Sequence, residues 1–277
     1  MIKCVSTLES LARDCIPPLI IRGLKRALSR ESDQYGFEGD YSSWKEALKK
    51  SGTYDNPVVL KKVRDSALKV KEGKAAYQRD SVLFDTIQYS WPLLAGLLRV
   101  ATSNEGQIHV LDFGGSLGTT YYQNRTFLSI LKKLRWCIVE LPNVVNCGKQ
   151  YFENEKLFFY ESLSECMKKE KIDVVLFAGV LQFLEKPFEL IHTIIDYGVQ
   201  YVIIDRTPFL TSNKKDLLTV KIVPPSIYSA SYPAWFFNKQ RFWELFLEKY
   251  DVVVEFEALG KANIKDSSFL GAIFEKR

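Results

Sequence analysis

From about Gln107 to Asp205, short β-branched or apolar runs alternate with segments of helical period, and this alternation limits the chain to few architectures. The predicted strands are Ile108–Asp112, Trp136–Glu140, Leu157–Tyr160, Val174–Phe177 and Tyr201–Asp205. Helices are predicted between them, over Thr119–Leu134, Val144–Glu153, Leu163–Lys169 and Pro187–Asp196. Strands separated by helices form parallel βαβ units with right-handed crossovers. The unbroken apolar runs at 174–177 and 201–204 suit central strands covered on both faces.

The flanks complete the plan. A segment rich in Pro, Ser and aromatics, about Arg206 to Phe237, is predicted to be a long loop. A helix over Lys239–Lys249 follows, then strands over Asp251–Glu257 and Phe269–Phe274, whose hairpin makes the last strand antiparallel. The expected fold is therefore α/β and Rossmann-like, with five parallel strands plus a C-terminal hairpin. Residues 1–106 are expected to form an N-terminal helical segment or lid, and 107–277 the sheet domain. Within the first part, Ser42/Ser43 open a capped helix. Pro57 starts another that runs to about Lys71. A further helical stretch is predicted over Ala75–Ala101, kinked or restarted at Pro92. With 277 residues, 47% of them hydrophobic, the chain has enough apolar material for one well-filled core.

Charge and cysteine content narrow the function classes. The balance of 38 basic to 33 acidic residues is mild, and no basic stripe with interleaved aromatics marks a nucleic-acid binder. The five cysteines are odd in number and lack a Cys-x-x-Cys pair, so reduced thiols in the cytoplasm are expected, without a zinc site. No run is long enough to span a bilayer, and no signal peptide is predicted. Ile16 to Arg30 has the pattern of a basic amphipathic helix, which either docks on the domain or makes peripheral contact with the inner membrane.

The turn Asp112-Phe113-Gly114-Gly115-Ser116-Leu117-Gly118 lies between the first strand of the alternation and its helix. Gly114 and Gly115 permit backbone shapes closed to other residues, and Gly118 permits close helix–strand packing. The helix start presents free N–H groups to a ligand. A carboxylate at Asp112 would repel pyrophosphate but suits the ammonium of S-adenosyl-L-methionine, so that cofactor is expected. Glu140 ends the second strand near the ~20-residue spacing of a ribose-binding acid. Tyr160, Glu161 and Ser162 stand where an adenine edge is met, and Gln182 follows the fourth strand. Asp205 and Tyr232 are the candidate catalytic groups; Arg206, Tyr228, Ser231 and Trp235 are candidates for the acceptor. Tyr77, Arg79, Asp80 and Trp91 are candidate lid residues. His109, early in its strand, and His192, within a helix, are not placed for catalysis, and no metal is expected.

Several strings resemble a family of uncharacterised bacterial proteins regarded as class I methyltransferases and often associated with surface-polysaccharide biosynthesis. They are Gly36–Trp44, Tyr77–Ser81, Gln88–Pro92, Leu111–Arg125, Val180–Leu184, Asp205–Pro208 and the stretch 224–237. The resemblance implies a class I methyltransferase fold and S-adenosylmethionine as cofactor. Against the common pattern Asp/Glu-x-Gly-x-Gly-x-Gly, Ser116 replaces the middle glycine. The function expected is methyl transfer to a small polar acceptor, a sugar or glycan hydroxyl. The alternatives are a nucleotide-dependent oxidoreductase or epimerase, and a non-catalytic cofactor-binding protein of the same fold.

Overall fold

A computed structural model describes residues 36–52, 57–212, 215–224 and 227–277. The amphipathic stretch 16–30 lies outside the described residues.

The parallel strands are β4 (Gln107–Phe113), β5 (Lys133–Val139), β6 (Leu157–Tyr160), β7 (Val174–Ala178) and β8 (Tyr201–Leu210). They lie in the order β8-β7-β4-β5-β6. The closing hairpin is β11 (Tyr250–Glu257) with β12 (Ser267–Lys276), and β12 runs antiparallel beside β8. The five parallel strands and the antiparallel closing strand are those expected. Strand order reverses between β4 and β7, which opens a crevice at their carboxyl ends.

Alternation along the buried strands feeds two cores. Val174, Leu176, Tyr201 and Ile203 pack with α3 (Trp91–Ser103), α4 (Thr119–Leu128) and α5 (Pro142–Tyr151) on one face. Val175, Phe177, Val202 and Ile204 pack with α6 (Leu163–Lys169), α7 (Pro187–Tyr197) and α8 (Lys239–Leu247) on the other. The unbroken apolar runs are thus explained by helices covering both faces.

The first part begins with β1 (Gly36–Glu38), α1 (Trp44–Lys50) and α2 (Pro57–Lys71). Ser43 caps α1, accepting from the Glu46 N–H, while Glu46 reaches back to the Ser42 N–H at 2.9 Å. Val59, Val63, Ala67 and Val70 of α2 join the same core as α3 and β4.

Three expectations are corrected. Ala75–Ala101 is not one helix: β2 (Tyr77–Arg79) and β3 (Val82–Phe84) form a hairpin before α3 starts at Trp91-Pro92. Asp80 and Ser81 take φ of 52° and 67°, the geometry of a two-residue type I′ turn. The helix after the glycine turn ends at Leu128 rather than Leu134, and β5 begins at Lys133. Most of the described residues in 206–237 are strand rather than loop: they extend β8 and form β9 (Leu217–Val223) and β10 (Ala230–Asn238). β1, β9 and β10 make an antiparallel ladder that joins β8 only at Phe209 and Leu210. Pro208 and Pro233 suggested a loop, yet each pairs on one side only, where a strand tolerates a missing N–H.

Candidate functional site

Three backbone positions between β4 and α4 have left-handed φ: Gly114 at 69°, Ser116 at 53° and Gly118 at 90°. A Cβ on Gly114 would stand 2.3 Å from the Val180 side chain, and one on Gly115 2.5 Å from the Asp112 carboxylate. Both glycines are therefore required by contact, and Gly114 also by conformation. Ser116 adopts the left-handed shape without being glycine, a conformation that costs about 1 kcal/mol or more.

Glu140, just past β5, holds this turn. One carboxylate oxygen accepts the Ser116 N–H at 3.2 Å and the other accepts the Leu141 N–H at 2.9 Å. Burial raises its pKa, and the two backbone donors oppose that shift. Asp112 is fully buried beneath Gly115. Its Oδ2 accepts from the Trp136 indole at 3.1 Å, while Oδ1 has no partner. Burial pushes this carboxyl up to about 7, against the Trp136 hydrogen bond and the Arg206 charge.

The turn forms one wall of a cavity of about 660 Å³ at the carboxyl edge of the parallel strands. Glu140, Glu161 and Ser162 line it from the ends of β5 and β6. Gly179, Val180 and Gln182 line it after β7, and Arg206 from within β8. Arg79 and Asp80 enter from the tip of the β2–β3 hairpin. Phe37, Lys221 and Tyr232 form the wall opposite; they are register partners across β1, β9 and β10 and so share one face.

Of the residues proposed from sequence, the cavity gathers Gly114, Gly115, Glu140, Gln182, Arg206, Tyr232, Arg79 and Asp80. Gln182 is buried; its amide donates to the Arg206 carbonyl at 3.3 Å and its Oε1 has no partner. Arg206, left-handed at φ 52°, donates to the Ala178 carbonyl at 2.9 Å.

The others stand elsewhere. Gly118 caps α4 below the turn. The Tyr160 hydroxyl is bonded to Glu170, and only the next residues, Glu161 and Ser162, reach the cavity. Asp205 is buried behind Arg206, with Ser90 at 3.4 Å; burial raises its pKa and the Arg206 charge opposes the rise. Tyr77 is buried with its hydroxyl unpartnered, below the hairpin tip. Strand alternation turns Ser231 and Trp235 to the face opposite Tyr232. There Trp235 stacks on Trp44 of α1, with 6.3 Å between ring centroids, and Ser231 accepts from the Gly52 N–H. Tyr228 is in the core beside α2. Trp91, 59% exposed, packs with Tyr89 and Phe127 on the outer surface.

Sequence reasoning passed over Lys221, Phe37, Gln78 and Phe183, all of which line the cavity. Lys221 was legible in principle, as a lysine within the alternating run Leu217–Val223, once that run is taken as a strand. Among the described residues no group of three or more His, Cys, Asp or Glu side chains could hold a metal, and no helix is long and apolar enough to cross a membrane.

No family model matches the chain, and no curated protein matches it in sequence. Solved structures are similar at low identity. The N-terminal domain of EvdMO1, crystallised in the presence of SAH and D-fucose, is 12% identical with a TM-score of 0.48, over 78% of this chain and 97% of that one. The 1,6-didemethyltoxoflavin-N1-methyltransferase of Burkholderia thailandensis is 13% identical with a TM-score of 0.42, over 89% and 97%. The N-methyltransferase NodS from Bradyrhizobium japonicum WM9, in complex with S-adenosyl-L-homocysteine, is 13% identical with a TM-score of 0.41, over 67% and 86%. At such scores no role passes from them to a residue of this chain.

Proposed function

We propose that this protein is an S-adenosylmethionine-dependent methyltransferase acting on a small polar acceptor, a hydroxyl of a sugar or glycan intermediate. The observation that carries the reading is the pairing of Glu140 with the left-handed turn at Gly114–Ser116. Together they present a carboxylate and an approachable backbone at the crevice where strand order reverses.

The residues present fit the cofactor. Each Glu140 oxygen takes one backbone N–H and keeps a lone pair, so the carboxylate can accept from both ribose hydroxyls. Gly114 and Gly115 would leave room for its amino-acid end, and Glu161 and Ser162, which line the cavity past β6, would meet the adenine. A cavity of about 660 Å³ lies within the ~300–1,000 Å³ range of small-molecule sites. The bound cofactor supplies an electrophilic methyl on a sulfonium. The protein would hold the acceptor oxygen in line with that methyl, so that the oxygen–carbon bond forms as the carbon–sulfur bond breaks, S-adenosylhomocysteine leaves and the hydroxyl proton passes to water; orientation would supply most of the rate. Tyr232 lines the acceptor side of the cavity, and Asp205 sustains the charge of Arg206 from behind.

The closing hairpin weighs against a nicotinamide enzyme, because β12 occupies the place beside β8 where a second βαβ half would continue. With S-adenosylmethionine and a panel of nucleotide sugars and lipid-linked glycans, S-adenosylhomocysteine should be released with at least one acceptor. Tight cofactor binding with no release across the panel would favour the non-catalytic alternative.

A further inference from the structure

The cavity is graded in charge. Its acids Glu140 and Glu161 stand at the β5 and β6 ends, whereas Arg79, Arg206 and Lys221 stand on the β2–β3, β8 and β9 side with Asp80 as the lining acid there, and Lys261 lines the cavity from the β11–β12 connection. Arg206 is already engaged, with the Ala178 carbonyl as acceptor and Asp205 behind it. The Arg79 and Lys221 side chains make no hydrogen bond or ion pair among the described residues, and the Arg79 guanidinium lies over the Phe84 ring, 5.7 Å from its centroid. The Lys221 ammonium sits over two rings, 5.2 Å from the Phe183 centroid and 5.8 Å from that of Tyr232. Aromatic faces attract a cation but leave its N–H donors unused. Burial lowers the Lys221 pKa, Arg79 and Arg206 add to that, and Asp80 opposes it. Asp80 is the nearest source of negative charge for Lys221, but it faces three cations, so a desolvated lysine here is stabilised further by an added anion.

We propose that the acceptor carries an anionic group, phosphate or carboxylate, bound between Lys221 and Arg79. The placement of the cofactor at the Glu140 end rests on the methyltransferase reading. Phe37 and Tyr232, the register partners of Lys221, then flank the part of the acceptor next to the anion. Lys221 and Arg79 are specificity-determining residues in this arrangement: they select a charged sugar over a neutral one of the same shape.

The test is calorimetry on the full chain, with and without saturating S-adenosylhomocysteine, using α-D-glucose 1-phosphate, D-glucuronate and D-glucose as probes. The expected result is that at least one anionic probe binds about tenfold or more tightly than glucose. Lys221→Met and Arg79→Gln should each abolish that preference, Lys221→Arg should keep most of it, and S-adenosylhomocysteine affinity should stay within about twofold. Equal binding of charged and neutral probes, or a preference that survives Lys221→Met, overturns the proposal. So does a loss of S-adenosylhomocysteine affinity in Lys221→Met, which would put the amine on the cofactor's carboxylate. If Lys221→Met fails to fold, Lys221→Arg and Arg79→Gln decide. If the wild type does not bind S-adenosylhomocysteine, the cofactor reading fails, while the titrations without it still judge the anion site.

Discussion

Replacing Glu140 with alanine is expected to weaken S-adenosylhomocysteine binding by about two to four orders of magnitude. Hydrogen bonds to a charged group contribute about 1.5–3 kcal/mol each, and roughly 1.4 kcal/mol is tenfold in affinity. The two ribose hydroxyls supply such bonds only while the carboxylate remains at the end of β5. The substitution also deprives the Ser116 and Leu141 N–H groups of their acceptor, so the turn itself is loosened. Glu140→Gln separates the two effects, because an amide oxygen still accepts one of these N–H bonds while the charge is gone. Its loss of affinity should lie between wild type and Glu140→Ala, with a melting temperature close to wild type. Unchanged affinity in a folded Glu140→Ala protein would remove the ribose assignment.

The second large effect belongs to Asp112. Its carboxyl moves from an ordinary 3.8 in the unfolded chain to about 7 in the fold, because burial disfavours the charge more than the Trp136 bond supports it. The folded state therefore binds more protons than the unfolded state between these values. Stability from this group is complete below about pH 4, falls as pH rises towards 7 and is then flat. The shift corresponds to about 4 kcal/mol. Asp112→Asn removes the dependence while keeping an oxygen for the Trp136 indole. In urea titrations without ligand, the variant should match wild type near pH 4 and exceed it by about 2–4 kcal/mol at pH 8. A variant less stable than wild type at pH 8 would mean that the buried carboxylate is ionised and satisfied.

Asp112 also shows how far the sequence could be read. Its place before the glycine turn was legible, and a direct contact with the cofactor's ammonium was expected. The carboxylate instead lies under Gly115 with Trp136 and does not line the cavity, so it acts through the turn. The βαβ alternation was legible because burial on both faces writes itself as unbroken apolar runs. That is why Leu157–Tyr160 matches residue for residue. The 206–237 stretch was not, because proline at half-paired strand positions has the same signature as proline in a loop. That misreading hid the strand parity. With β9 and β10 as strands, Tyr232 must face Lys221 and Phe37, and Ser231 and Trp235 must face α1. The hairpin tip Asp80-Ser81 was missed for a related reason, since its turn lacks the glycine that usually marks a type I′ geometry.

Titration calorimetry of the purified chain against S-adenosylmethionine, S-adenosylhomocysteine, NADH and NADPH tests the central claim most directly. Saturable one-to-one binding of the two adenosyl sulfur compounds, with none of the nicotinamide compounds, is the predicted result. Binding of NADH or NADPH with no response to either adenosyl compound would contradict it.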